Sequence, residues 1–414
     1  VSAACTVVGI GADGCAGLTA RAVNAVSAAE VLAGGERQLA FFPQFRGERL
    51  RLGKSLDETL EQIAAAADER SVCVLASGDP LFFGIGARLV ERLGVEHVEV
   101  VPSPSAVQWA FARARLPWDD ALLLSAHGRS LTGVAVRIRS ARKAAVLTGG
   151  PAGPAELARH LRSFGERGLA AWCCEDLCGP EERVRRYPDL EALEAAGEAS
   201  PLNLVLLVRD DPAWRPPPRL PFLPEDALEM RRPRAGLVTK REIRAVALGL
   251  LAVRPDAVVW DVGAGSGSVA LEAAALAPEG RVYAVERDAE SAGHCRANAR
   301  RLGMDHVAVA EGEAPAALAG LPAPDAVFIG GGGKAVSAIA LVALDRLRPG
   351  GRLVISAITL DTLEDARRAL AAAGVAPEIA SVQVARSAPV GGRTRLEPLS
   401  PVFLVACIKP GGST

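Results

Sequence analysis

Residues 209–236, RDDPAWRPPPRLPFLPEDALEMRRPRAG, hold seven prolines and no usable periodicity. Proline fixes φ and removes a backbone donor, so this stretch can extend neither a sheet nor a helix and reads as a stiff linker. It divides the 414 residues into a first region, 1–208, and a second, 237–414, each of ordinary domain size. On both sides of it, short apolar runs alternate with helix-period segments, which predicts an α/β architecture throughout.

The first region opens with CTVVGIG, a strand running into glycines, and continues with the helix-like LTARAVNAVSAAEVLAGG. SLDETLEQIAAAA carries a capping box from Ser55 to Glu58. SVCVLASGDP is a strand ending in a turn, and VEVVPSPS, ALLLSAHGR, KAAVLTGGP and PLNLVLLV follow. The later strands predict a second, smaller sheet, hence two lobes with a cleft between them.

The second region starts with TKREIRAVALGLLAV, a helix expected to be capped by Thr239 with Glu242 in the capping-box position. Strand 257–262 then runs into DVGAGSGS, whose glycines Gly263, Gly265 and Gly267 alternate in a GxGxG spacing. The dinucleotide fingerprint is GxGxxG instead. Glu286 ends the next strand, about 20 residues on, where a carboxylate can accept both hydroxyls of a ribose. EGEA (Glu311–Ala314), FIGGGG, LRPGGRLVIS, another helix and two late strands complete one doubly wound sheet. Packing of helix on sheet would explain the glycines alone, but not Glu286 or the Ala314 turn.

Taken together, the Thr239 helix, the glycine loop, Glu286, EGEA and LRPGGRLVIS resemble the Rossmann-like S-adenosylmethionine-dependent methyltransferases. In the first region VVGIGADG, ASGDPLFFGIG, PSPSA, LTGGP and PLN come in the order of the tetrapyrrole methylases, a two-lobed fold that also uses S-adenosylmethionine. That family often has proline after the second glycine of its first loop, where this chain has Ala12-Asp13. SAHGR and EDLCGPEERV resemble the branch that alkylates carbon 5 of a precorrin. TKREIR, DVGAGSGSVALE, EGEAP and FIGGGG resemble its partner, which alkylates carbon 15 and decarboxylates the carbon-12 acetate. A chain with both, in this order, resembles the fused decarboxylating C5,15-methyltransferases of cobalamin biosynthesis. The resemblance implies that precorrin-6B becomes precorrin-8X, with carbon-5 methylation in 1–208 and carbon-15 methylation and decarboxylation in 237–414. It also implies two S-adenosyl-L-methionine sites, one per domain. The contacts carried over are Thr239, Gly263, Ala264, Gly265, Ser266, Gly267, Glu286 and Ala314 in the second domain. In the first they are Gly78, Asp79, Pro80, Ser105 and Ala106. Homo-oligomers, tetramers through the second domain, are implied as well.

Such a substrate is rich in acetate and propionate groups, so cations near these loops are candidate receptors: His127 and Arg129 in the first domain, Lys334, Arg386 and Arg393 in the second. Each is equally read as a solvated surface charge. Methyl transfer from a sulfonium needs alignment and exclusion of water more than a strong base. The absence of a Ser-His-Asp or Cys-His signature therefore fits, and no catalytic acid or base is assigned.

Charge and cysteine usage narrow the alternatives. The 47 Lys and Arg residues nearly balance 48 Asp and Glu, giving a net charge of −1, so binding of nucleic acid through bulk charge is disfavoured. Only five cations are lysines, and arginine's planar fork suits carboxylates wherever it clusters. The eight cysteines lack paired C-x-x-C spacing, so CCEDLC reads as buried small residues and no metal is expected. No charged segment precedes an apolar core at the N-terminus, and no apolar run spans a bilayer, which predicts a soluble cytoplasmic chain with no membrane partner. The rival readings are a methyltransferase acting on RNA or another substrate, an NAD-linked oxidoreductase, and a non-catalytic tetrapyrrole carrier.

Overall fold

The computed structural model describes residues 4–53, 55–217, 222–230 and 239–411. Parts of the proline-rich segment, 218–221 and 231–236, lie outside the described residues. The chain divides into two compact units. One comprises Val1–Ser130, Ala141–Arg159 and Arg167–Trp214. The other comprises Leu131–Ser140, His160–Glu166 and Arg215–Thr414.

The first unit holds two five-stranded sheets. One contains β1 (Cys5–Ile10), β2 (Val31–Gly34), β3 (Glu48–Arg51), β4 (Val72–Ser77) and β5 (Val98–Val101), all parallel, in the order β3-β2-β4-β1-β5. Strands of a parallel sheet are covered on both faces and so read as continuous apolar runs. Here Val7, Val31 and Val74 pack on one face while Val8, Leu32 and Leu75 pack on the other. The second sheet contains β6 (Leu122–Ser125), β7 (Lys143–Thr148), β8 (Ala170–Glu175), β9 (Arg183–Tyr187) and β10 (Asn203–Val208) in the order β6-β7-β10-β8-β9. Only its β6–β7 pair is parallel. It has as many strands as the first, so the expectation of a smaller sheet is corrected. The signal missed was β9, RVRRY, whose alternating charge disguises an edge strand. Cys173 and Cys174 are buried on β8.

The second unit is built on seven strands: β11 (Val258–Val262), β12 (Arg281–Glu286), β13 (Val307–Glu311), β14 (Ala326–Ile329), β15 (Arg352–Ala357), β16 (Glu378–Val382) and, after a ribbon, β19 (Val402–Ile408). The order is β13-β12-β11-β14-β15-β19-β16, parallel through β15, with β19 antiparallel to both of its neighbours. Alternate residues feed two cores: Val259, Phe328 and Val354 on one face, Trp260, Val327 and Leu353 on the other. The ribbon is β17 (Ala385–Val390) with β18 (Arg393–Pro398), turned by Gly391 and Gly392, both at positive φ as a two-residue hairpin requires. Four late strands therefore stand where two were expected, because the exposed ribbon has no apolar alternation to announce it. No helix among the described residues is long and apolar enough to cross a membrane.

Candidate active sites

Parallel strands present their carboxyl ends, and the loops leaving them, along one edge of a sheet. In the first unit the ends of β1, β4 and β5 meet loops of the second sheet around a cavity of about 530 Å³. Gly78, Asp79, Ser105, Ala106, His127 and Arg129 all line it. Asp79 Oδ1 accepts from the Leu81 N–H at 2.8 Å, an Asx turn that fixes the loop after β4. Pro80 does not line the cavity: it is buried behind the turn, where its carbonyl accepts from the Gly86 N–H at 3.0 Å. Ser105 is the N-cap of the helix Ala106–Ala114 in a reciprocal capping box with Gln108, so its hydroxyl is committed to the helix. The box expected at Ser55 is half-formed, with only Ser55 Oγ accepting from the Glu58 N–H.

His127 Nδ1 lies 3.2 Å from the Thr148 carbonyl. A carbonyl can only accept, so Nδ1 carries hydrogen and in the neutral ring Nε2 is left as an acceptor. This contact orients the ring over the cavity. Arg129 forms no ion pair or side-chain hydrogen bond among the described residues. Arg37 also lines this cavity, and sequence reasoning missed it because it stands on a five-residue helix, Glu36–Ala40, with no motif around it.

In the second unit the ends of β11, β12 and β14 surround a cavity of about 660 Å³. Thr239, Gly263, Ala264, Gly265, Ser266, Glu286, Ala314 and Lys334 line it. The three alternate glycines have different reasons to be there. A Cβ on Gly263 would stand 2.9 Å from the Gly331 nitrogen, and one on Gly267 would stand 2.5 Å from Cys295 Sγ. At Gly265 a Cβ would meet nothing within 4 Å, so there the missing side chain leaves room in the cavity itself. Gly267 lies behind the wall as N-cap of the helix Ser268–Leu276, not in the lining.

Glu286 Oε2 accepts from the Gly265 N–H at 2.8 Å and Oε1 from the Asp288 N–H at 2.9 Å. The carboxylate is thereby fixed beside the glycine loop, each oxygen keeping a lone pair for a hydroxyl. Ser266 Oγ and His294 Nδ1 are buried with no hydrogen-bond partner, and both residues line the cavity. A polar ligand with hydroxyl and amino-acid groups, as S-adenosylmethionine has, fits such a lining. Thr239 is not the cap expected: the helix Arg241–Leu251 starts from Lys240 without a side-chain cap, and the Thr239 carbonyl is held by Arg244 instead.

Arg386 and Arg393 do not line the cavity, which corrects their reading as receptors there. Arg386 Nη2 is 2.8 Å from Glu225 Oε1 and 2.5 Å from Glu242 Oε2, so its charge is already spent. Against the upward pull of burial, Arg386 and backbone donors hold Glu225 down at about 2. Arg393 is exposed on β18. Lys334 remains: it follows the Gly330–Gly333 run and has no partner among the described residues.

Asp261, next to last in β11, opens the DVGAGSGS motif and is a functional residue that the glycine spacing does not announce. It is buried, and Oδ2 accepts from the Ala270 N–H at 2.8 Å, capping the helix from below. Burial, with the nearby Glu286 charge, pushes this carboxyl up to about 7. The unfolded chain releases that proton near pH 4, so folding loses stability as pH rises from about 4 to about 7. Asp261→Asn keeps an acceptor for Ala270 and removes the charge. It is expected to stabilise the chain by up to about 4 kcal/mol at pH 8, with the gain vanishing toward pH 4. Urea titrations at pH 8 and pH 5 test this, and a gain independent of pH would show that the buried charge is not its cause.

Most of the lining of each cavity comes from a segment of known kinship. Residues 4–191 match the family of tetrapyrrole (corrin/porphyrin) methylases, and residues 233–409 match the precorrin methyltransferase domain. A precorrin-6Y C(5,15)-methyltransferase (decarboxylating) of a Sinorhizobium species is 37% identical over 402 residues, 96% of this chain and 94% of the relative. This chain belongs to that family. Other proteins each match about half of this chain. A cobalt-precorrin-7 C(5)-methyltransferase of Salmonella typhimurium is 42% identical over 44% of this chain and 90% of its own length. A probable cobalt-precorrin-6B C(15)-methyltransferase (decarboxylating) of Pyrobaculum calidifontis is 39% identical over 45% of this chain and 94% of its own.

Proposed function

We propose that the chain carries two methyl transfers on one precorrin macrocycle, at carbons 15 and 5, with loss of the carbon-12 acetate carboxyl as carbon dioxide. Precorrin-6B enters and precorrin-8X leaves. The observation that carries this reading is a pair of cavities at strand ends, one lined mainly by each family segment. Residues 1–208 form the carbon-5 domain and residues 237–414 the carbon-15 domain, joined by the proline-rich 209–236. The names of the half-length relatives support an order, since one is named for carbon 15 of the 6B compound and the other for carbon 5 of the 7 compound. On this reading the second domain acts first.

S-adenosyl-L-methionine, bound once in each domain, supplies an activated methyl whose carbon–sulfur bond breaks as the new carbon–carbon bond forms. In the second cavity Glu286 would hold ribose hydroxyls, the Gly263–Ser266 backbone would face the amino-acid end, and the Ala314 turn would border the base. In the first, the Gly78–Asp79 turn and the Ser105–Ala106 backbone would play these parts. The macrocycle's bridging carbons are enamine-like nucleophiles, so the residues have to align them and exclude water. Lys334, without a partner among the described residues, would receive a carboxylate at the second site. Among the described residues all eight cysteines are unpaired thiols, which suits a reducing cytoplasm, and the assembled form is a homo-oligomer, a tetramer through the second domain.

The test is mass spectrometry of the pigment after incubation of the full chain with S-adenosylmethionine and precorrin-6B. Two methyl gains and one loss of carbon dioxide are expected. Unchanged pigment from a chain that binds S-adenosylhomocysteine would mean that the substrate is wrong and the folds are right.

A further inference from the structure

The first cavity has apolar walls and two unpaired cations. Phe82 and Phe83 line it as a T-shaped pair with centroids 4.7 Å apart. Phe83 is 52% exposed and held at φ +52, a conformation that non-glycine residues rarely adopt. Among the described residues, Arg37 and Arg129 are the only lysine or arginine side chains in the lining. Neither has an ion pair or side-chain hydrogen bond among the described residues, although the lining also contains the carboxylates Asp79 and Asp176.

Local structure keeps both cations unpaired. Glu36, beside Arg37 in sequence, is taken by Arg51 at 2.6 Å. The short helix carrying Arg37 is fixed on one side by the buried Leu39 and on another by Gln38, whose Nε2 donates to Ser77 Oγ at 2.6 Å. Its C-terminal end is held by Arg49, which donates to the carbonyls of Leu39 and Phe42. Arg129 closes a turn, its N–H donating to the Ala126 carbonyl at 3.0 Å around Gly128 at φ +65. The same turn carries His127, pinned to Thr148. Thus two rigid supports bring one guanidinium each to a single apolar cavity.

We propose that Arg37 and Arg129 together are the carboxylate receptor of the first domain, each gripping one peripheral acetate or propionate while the Phe82–Phe83 pair meets the face of the macrocycle. The inference rests on the reading that this domain methylates a precorrin at carbon 5. A guanidinium and a carboxylate match as a two-pronged pair, and two such pairs fix the rotation of a ring that apolar contact alone leaves free.

The experiment is steady-state methylation of precorrin-7 by the full chain, with S-adenosylhomocysteine affinity measured by calorimetry on the same samples. Arg37→Gln and Arg129→Gln are each expected to raise KM for precorrin-7 about tenfold, and the double variant about a hundredfold, while S-adenosylhomocysteine affinity stays within about twofold. Arg37→Lys, which keeps the charge and loses the fork, is expected to recover part of the loss. KM within twofold of wild type in either single variant would overturn the proposal. So would a fall in S-adenosylhomocysteine affinity that matches the rise in KM, because the arginine would then serve the donor. A wild-type chain that binds S-adenosylhomocysteine and leaves precorrin-7 unmethylated would instead remove the underlying carbon-5 reading.

Discussion

Gly265→Arg is expected to lower carbon-15 methylation and carbon dioxide release on the order of a hundredfold or more while leaving the chain folded. The direction follows from what a side chain at this position would meet. Gly265 sits at φ +57, so any Cβ there costs about 1 kcal/mol of backbone strain, a small share of a domain's stability. Beyond the Cβ lies open space, and that space is the cavity. An arginine would occupy it and would also draw on Glu286, which now accepts from the Gly265 N–H. Displacement of a bound reactant by even an ångström costs about two orders of magnitude in rate. Gly263→Ala is the counterpart: its Cβ would drive into the Gly331 backbone, so stability should fall together with activity. With precorrin-6B as substrate, Gly265→Arg should slow both methylations alike if, as proposed, the carbon-5 step follows the carbon-15 step. Supplied with precorrin-7, the same variant should methylate carbon 5 at the wild-type rate. Loss of both activities would show that the two cavities are not independent.

The difference between Gly265 and its neighbours marks how far the sequence could be read. Alternating glycines after an apolar strand announce a backbone that something approaches, and that much is local. Which glycine faces a ligand and which faces Cys295 or Gly331 depends on elements about 30 to 70 residues away. The parallel sheets were legible for the same local reason: VCVLAS and AVVWDV are too continuously apolar for a strand with one wet face. Thr239 as a cap and Arg386 as a receptor were misread for different reasons. Thr239 has the composition of a cap, yet Lys240 holds that place and the Thr239 carbonyl is gripped by Arg244. Arg386 sits in an arginine-rich run that resembles an anion receptor, but Glu242 and Glu225 lie 144 and 161 residues away and neutralise it. Asp261 was open to inference, since a lone acid ending a buried strand must find a donor.

Arg244→Met is expected to destabilise the second unit by about 3–5 kcal/mol, the cost of a buried carboxylate left without its cation. Arg244 and Glu272 are both 0% exposed. Arg244 Nε donates to Glu272 Oε1 at 2.8 Å, and the remaining nitrogens reach the carbonyls of Thr239 and Leu223. Glu272 Oε1 also accepts from the Leu223 N–H at 2.9 Å, and Oε2 has no partner. When the guanidinium goes, this buried carboxylate keeps backbone donors such as the Leu223 N–H but no opposite charge. Arg244→Met with Glu272→Leu removes both charges and should recover most of the loss in urea titration, because an apolar pair of similar volume often replaces a buried ion pair at little cost. The double variant does not restore the hold on the Thr239 carbonyl. Thr239 borders the second cavity, so S-adenosylhomocysteine affinity there should stay about tenfold weaker in both variants, whatever the stability. Recovery of affinity together with stability would mean that Arg244 serves the fold alone. Persistent weak binding in a stable double variant would identify it as the residue that positions Thr239 for the donor.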